Sequence, residues 1–390
     1  MDISYILNQL GEDHHEYFNA VAPPIVQSSN FQFDTVDQLR QAFAAEYDVF
    51  LYSRGNNPTV DILRQKLAAL DGAEDALVFN SGASAIFCAV LPFVKQGDHI
   101  VSVRSPYTWA QRLFDVILPR FGVSTTYIDG TEPDHWQQAT QPNTVLYYLE
   151  SPNSWTYQLQ PLEAVASLAR SRGIITVIDN SYCTPLWQQP HRFGIDLSLQ
   201  SATKYLGGHS DCVAGVLTGS KAHMSQIFYS EYMTTGAGAT PFHAWLLLRG
   251  LRTLPLRLQR VADSTARLWP WLKQQPWVEQ LLFPGDPDFP QAGLARQQMS
   301  NAGGLLTLVL RAQRVEQIEA FCNALQRFRM AVSWGGHESL LIPKCAGMPR
   351  QQFDAANPAH RQVRLYVGLE EPTVLQADLE QASQHLIDPT

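Results

Sequence analysis

The chain has 390 residues, 45% hydrophobic and 16% charged, with a formal net charge of −8. That composition suits two or three domains with large buried cores. It argues against a basic face that tracks phosphates, so nucleic acid is not expected as a partner, and no apolar run approaches the ~20 residues that span a bilayer. Taken in chain order, residues 1–50 read as an extended arm with one short helix, because Ala22-Pro23-Pro24-Ile25 enforces extended backbone. Such an arm cannot bury itself and is expected to lie on another part of the protein or on a partner subunit. Residues 60–70 carry apolar side chains at helical spacing, and Asp71-Gly72 stops them. A short buried strand follows at 76–79, Ser81-Gly82 opens a helix running to about Val94, and 99–103 is the next strand. Further strands are expected at 122–128, 145–149 and 174–178, the last two joined by an amphipathic helix over 162–172. Apolar strands alternating with helices predict an α/β fold with a mostly parallel sheet covered on both faces. Residues 241–275 read as helical and lead to a smaller C-terminal domain with a strand at 304–310 and a helix at 315–328. The expected division is 1–50, 51–245 and 246–390.

The five cysteines (Cys88, Cys183, Cys212, Cys322, Cys345) form no CxxC pair and no Cys/His metal spacing. Several lie in apolar runs, so reduced and mostly buried thiols are expected. The opening Met1-Asp2-Ile3-Ser4-Tyr5 lacks a basic region followed by an apolar core. A soluble cytoplasmic protein without a bound metal is the expectation.

Chemistry on an amino acid through pyridoxal phosphate needs a lysine, an acid for the pyridine nitrogen, a phosphate cradle and a flat group over the ring. Each has a candidate here. Lys204 follows the apolar run 195–199 and sits in Ser201-Ala202-Thr203-Lys204-Tyr205-Leu206-Gly207-Gly208-His209, where desolvation would favour the neutral amine. On that run alone, a surface lysine after a strand is an equal reading. Asp179 closes the strand at 174–178, at the edge where α/β ligands bind, although an Asp-Asn turn would look the same. Ser81-Gly82-Ala83-Ser84 opens a helix whose free N–H groups attract phosphate. Ser201 and Thr203 could add hydroxyls, and Tyr52 and Arg54 supply a phenol and a guanidinium in a turn. Tyr107 follows the strand ending at Val103, where an aromatic could stack on a cofactor. Each feature is weak alone; together they meet the needs of one cofactor. No GxGxxG after the first strand and no GxxxxGK[ST] is present, which argues against a nucleotide-binding protein.

Over essentially its whole length the chain resembles the Cys/Met-metabolism (transsulfuration) family of pyridoxal-phosphate enzymes. The matching stretches are Pro23-Pro24-Ile25, Tyr52-Ser53-Arg54 with Asn57-Pro58-Thr59, Ser81-Gly82, Glu150-Ser151-Pro152, Asp179-Asn180, Ser201 to Tyr205 with Gly208-His209-Ser210-Asp211, and Arg249 to Leu254. The resemblance implies an aminotransferase-like fold of type I, with an extended N-terminal arm and a smaller α+β C-terminal domain. It implies a Schiff base at Lys204, Asp179 at the pyridine nitrogen, Tyr107 over the ring, and phosphate contacts at Gly82, Ala83, Ser201 and Thr203. It also implies that Tyr52 and Arg54 reach the phosphate of a neighbouring subunit, in a homodimer or a homotetramer of two such dimers. Arg364 is implied to hold the substrate α-carboxylate, with Ser333 beside it.

Two details resemble the β-lyases of the family. Ser154, in Glu150-Ser151-Pro152-Asn153-Ser154-Trp155-Thr156, stands where γ-enzymes usually carry Asn. Trp334, in Ser333-Trp334-Gly335-Gly336, is implied to line the substrate site where many γ-enzymes have Leu. The implied reaction is α,β-elimination of cystathionine to homocysteine, pyruvate and ammonia. γ-Elimination or γ-replacement by a γ-lyase or γ-synthase is the alternative. Trp109 stands where methionine γ-lyases usually have Cys, and Ala83 where Met is usual.

Overall fold

The computed structural model describes residues 1–386; the last residues of the expected C-terminal domain, 387–390, lie outside them. The chain forms two compact units. The larger holds Met1–Ser151, Leu159–Gly207 and Asp211–Thr253, and the smaller holds Pro152–Gln158, Gly208–Ser210 and the chain from Leu254 onward.

The larger unit is built on a seven-stranded sheet. Its strands are β1 (Asp75–Phe79), β2 (His99–Val103), β3 (Ser124–Ile128), β4 (Thr144–Glu150), β5 (Ile175–Asp179), β6 (Leu197–Ser201) and β7 (Gly215–Gly219), in the order β1-β7-β6-β5-β4-β2-β3. Only β7 runs against its neighbours; β2 to β6 are mutually parallel. The sheet is apolar on both faces because side chains alternate along each strand. Leu146 and Tyr148 of β4 join the core with Leu77, Val177 and Leu217, whereas Tyr147 and Leu149 join Val101, Val103 and Ile178 on the other face. The helix after β1, Gly82–Val90, ends sooner than its pattern predicts, since Leu91-Pro92-Phe93 turns as a 3-10 segment.

The first fifty residues are more structured than expected, with α-helices at Ile3–Asn8 and Val36–Ala44. The first of these lies on the chain's own body. Lys66 Nζ donates to the carbonyls of Ile6 and Leu7 at 2.9 and 3.3 Å and pairs with Glu12 at 3.0 Å. Arg252 completes the cluster by donating to both Glu12 oxygens at 3.0 Å.

The smaller unit has a five-stranded sheet made of β8 (Val278–Leu282), β9 (Leu305–Leu310), β10 (Arg329–Met330), β11 (Leu340–Pro343) and β12 (Gln362–Tyr366), in the order β10-β11-β12-β9-β8. One face of it is core: Leu306, Leu308 and Leu310 of β9 pack with Val363 and Leu365 of β12. The alternation that places them inward puts Thr307, Gln362 and Arg364 on the opposite face. All five cysteines are free and buried, and among the described residues no helix is long and apolar enough to cross a membrane.

Candidate active site

The larger unit gathers its reactive groups at the ends of adjacent parallel strands. Glu150 ends β4 and Asp179 ends β5, directly opposite each other in the ladder. Ser201 ends β6, and its N–H donates to Ser181 Oγ at 2.7 Å, which ties β6 to the turn after Asp179. Asp179 is only 8% exposed and accepts from the Ser181 N–H at 2.9 Å. Burial pushes its carboxyl up, while the Ser181 hydrogen bonds and the nearby Lys204 charge hold it down. The sequence left open whether Asp179 is merely a turn residue. Its burial, together with the electrostatic reach of Lys204, favours a charge-holding site.

Lys204 lies on a tight turn directly after β6. Its N–H donates to Ser201 O at 3.1 Å, and the Gly207 N–H closes back on Ala202 O at 2.8 Å. The helix Pro241–Arg252 holds this turn from behind. A Cβ at Gly250 would lie 2.4 Å from Gly207 O, so only glycine permits the approach.

Tyr107 is brought to the same strand ends by Glu150, whose Oε2 accepts from the Tyr107 N–H at 2.6 Å. Tyr107 as a whole is 43% exposed. Partial burial raises its pKa above the ordinary tyrosine value, and the negative charges of Asp179 and Glu150 raise it further. The ring therefore keeps its proton across the neutral range. Lys204, Asp179 and Tyr107, far apart in sequence, thus share one electrostatic neighbourhood.

The phosphate candidates also converge. Gly82 begins the helix Gly82–Val90 and Ser81 caps it, accepting from Ser84 N at 3.1 Å. A Cβ at Gly82 would lie 3.2 Å from the Ser201 Cβ, and one at Gly215 would lie 2.3 Å from Ser81 O. The first-turn N–H groups of Gly82 and Ala83 thus adjoin the Ser201 hydroxyl, and the helix dipole adds to their pull on an anion. Thr203 is more engaged: its hydroxyl donates to Ala214 O at 3.2 Å and accepts from Ala214 N at 3.1 Å. Tyr52 and Arg54 are exposed and pair with each other, the guanidinium 5.3 Å from the Tyr52 ring centroid.

These residues fit pyridoxal phosphate. A pyridinium would give the buried Asp179 a cationic partner, the Gly82/Ser201 cradle suits the phosphate, and Lys204 lies within electrostatic reach of Asp179.

The other candidates belong to the smaller unit. Arg364 of β12 is 8% exposed; its Nη1 donates to the main-chain carbonyl of Ser154 at 3.2 Å, and its guanidinium lies 4.9 Å from the Trp155 ring centroid. The segment Pro152–Gln158 is shaped by Asn153, whose Oδ1 accepts from Trp155 N and Thr156 N at 3.0 and 3.3 Å. Tyr157 pins it to β9, its hydroxyl 3.0 Å from Thr307 Oγ1. Ser333 has φ 78°, a conformation that side chains disfavour, and its loop is fixed by Tyr366, which donates to Gly336 O at 2.9 Å. Trp334 is packed, only 6% exposed. The sequence reading gave Glu150 and Trp155 no role. Glu150 could have been found from its strand-end position level with Asp179; nothing in the spacing points to Trp155.

Known proteins resemble the chain over nearly its whole length. The family described as Cys/Met metabolism PLP-dependent enzyme matches residues 6–384. L-methionine gamma-lyase of Pseudomonas putida is 37% identical over 95% of this chain and 94% of its own. Cystathionine gamma-lyase of Bacillus subtilis is 31% identical over 95% and 96%. The crystal structure of cystathionine gamma-lyase from Lactobacillus plantarum complexed with L-serine superposes with a TM-score of 0.90 at 31% identity, covering 99% of both chains. With pyridoxal phosphate as its cofactor and a fold-type I framework, the chain belongs to the Cys/Met metabolism family of carbon–sulfur enzymes.

Proposed function

We propose that the chain is a lyase that breaks the Cγ–S bond of an L-amino-acid thioether, with Lys204 as its proton carrier. The observation that supports this best is the grouping of Lys204, the buried Asp179 and the proton-retaining Tyr107 phenol at adjoining strand ends. Pyridoxal phosphate, when bound, supplies an electron sink next to the substrate Cα. Asp179 holds the proton on the pyridine nitrogen, which strengthens that sink. Lys204 carries the cofactor in the resting protein, then takes the Cα proton and moves it along the substrate. Tyr107 supplies a proton to the departing sulfur. Gly82, Ala83 and Ser201 bind the phosphate, with Thr203 free to join if it releases Ala214. Arg364 grips the α-carboxylate with two N–H groups, with Ser333 and Ser154 beside it. Tyr52 and Arg54 face outward and serve the phosphate of a partner subunit, in a homodimer or a tetramer of two dimers. The five buried free thiols suit a reducing cytoplasm.

The choice between Cγ–S and Cβ–S rests on two residues and on the relatives. Ser154 meets Arg364 through its main-chain carbonyl, which Asn would present equally well. Trp334 is a packed ring, and the relatives described above are named as γ-lyases. These observations favour γ-cleavage. The Ser-Trp-Gly-Gly run at 333–336 keeps α,β-elimination of cystathionine as the second reading. Incubating the holoenzyme with L-cystathionine and with L-methionine separates them. Cysteine, 2-oxobutyrate and ammonia from cystathionine support γ-cleavage; homocysteine, pyruvate and ammonia support the second reading. Turnover of neither thioether contradicts both.

A further inference from the structure

The loop that carries Ser333 and Trp334 is built from conformations that do not hold themselves. Ser333 has φ 78° and Gly335 φ 89°, both left-handed, and Gly336 follows. Left-handed backbone at a residue with a side chain persists only where surrounding contacts over-determine it. Ties to β12 and the residues after it supply part of that constraint. Tyr366 donates to Gly336 O at 2.9 Å, and the Leu369 N–H donates to His337 O at 2.9 Å. Ser339 donates from its N–H and its hydroxyl to Glu370, at 2.9 and 2.8 Å.

A further tie comes from a distant stretch of chain. Ser210, just beyond the Lys204 run, donates its hydroxyl to Glu338 Oε1 at 2.6 Å. Glu338 Oε2 lies 3.1 Å from His337 Nδ1, and the Glu338 side chain is 14% exposed. The seat is tight. A Cβ at Gly336 would overlap the Ser210 hydroxyl and lie 2.6 Å from Glu338 Oε2, so the second glycine of the loop makes room for Ser210. Ser210 is itself left-handed, at φ 57°, so disfavoured backbone lies on both sides of this contact. A hydrogen bond to a shielded carboxylate is stronger than one between neutral groups, which suits it to offset such strain.

We infer that Glu338 is a positioning residue for the substrate loop: its bond to Ser210 holds Ser333 and Trp334 in the geometry that receives the substrate. This role rests on the reading of Ser333 as a substrate contact and adds the residue pair that keeps it in place. Loss of the pair lets the loop populate other conformations, and apparent affinity falls with the fraction that remains competent. The chemistry at Lys204 is unaltered once substrate is bound, so the effect falls on KM.

The test uses the cofactor-loaded protein with two readouts: steady-state kinetics on the thioether that it cleaves, and calorimetric titration with L-norleucine, which has no sulfur to lose. Ser210→Ala should raise KM and the norleucine Kd by roughly tenfold each, with kcat within about twofold. Glu338→Ala and the double variant should match it, since all three lack the same bond. Glu338→Gln keeps an oxygen for the Ser210 hydroxyl and should return both constants to within about threefold of the wild type. Unchanged constants in Ser210→Ala overturn the inference. So does a fall in kcat at constant KM, because Glu338 would then act on the Lys204 segment. Additive losses in the double variant also overturn it, since the two residues would then have separate roles. Ser333→Ala separates the two readings. If it leaves both constants unchanged, the reading of Ser333 fails and the inference falls with it; if it raises both while Ser210→Ala raises neither, only the inference fails.

Discussion

The strand-end group of the larger unit and the sheet-face group of the smaller one are made in different ways. Lys204, Asp179 and Tyr107 are held by hydrogen bonds that main-chain N–H groups of the strand-end turns donate: Lys204 N to Ser201 O, Ser181 N to the Asp179 carboxylate, Tyr107 N to the Glu150 carboxylate. Arg364 and Lys344 are held by side-chain contacts, to a carbonyl and an indole of the irregular segment 152–158. Backbone-fixed groups at sheet ends are hard to move by changing one surface residue. Side-chain-fixed groups on a sheet face can be retuned singly. The first arrangement suits chemistry common to a family and the second suits substrate choice.

Substitutions sharpen this contrast, because those in the first group should act on kcat and those in the second on KM. Lys204→Ala should have the largest effect, lowering kcat by about 10³-fold or more and removing the visible absorbance of bound cofactor. Stopped assays with absorbance spectra check both. Asp179→Asn should lower kcat on the order of 10²-fold while the fold, followed by circular dichroism, survives; loss of KM alone would break the contrast. Arg364→Lys keeps the charge but loses the planar fork, so KM should rise by roughly 10- to 100-fold with kcat changed far less.

Tyr107 gives a test by pH. Its pKa is raised, so the proton it donates is present at neutral pH and is lost only as pH climbs past the ordinary tyrosine value of about 10. Tyr107→Phe should lower kcat roughly tenfold or more at neutral pH. A wild-type profile whose tyrosine-dependent limb falls well below pH 10 would contradict the assigned role. The smallest effect on turnover should come from Gly250→Ala. Its Cβ would press on Gly207 O, so stability should fall by about 1–3 kcal/mol in denaturant titrations.

Much of the strand-end group could be read from the sequence. Strands such as β2 are short apolar runs bounded by turns, so their ends, and the Asp or Tyr just beyond, could be placed by counting. The sheet-face group could not. Arg364 and Ser154 meet across 210 residues, and a stack of a cation on an indole leaves no periodicity in either segment. β11 is only four residues long and ends in a proline, and β12 carries Gln362 and Arg364 among its apolar residues, so neither stood out as a strand. Glu12, Lys66 and Arg252 were equally opaque: nothing in three charged residues so far apart in sequence marks them as a cluster, yet the Glu12 and Lys66 side chains are each 1% exposed. Their burial follows from the docking of Ile3–Asn8, which depends on tertiary contacts.

The proposed chemistry centres on Lys204 at the strand ends. Borohydride treatment of the holoenzyme, followed by proteolysis and peptide mass analysis, tests it most directly. One pyridoxyl adduct per chain is expected, on the peptide that contains Lys204. An adduct on any other lysine, or none in protein that retains its cofactor, would contradict it.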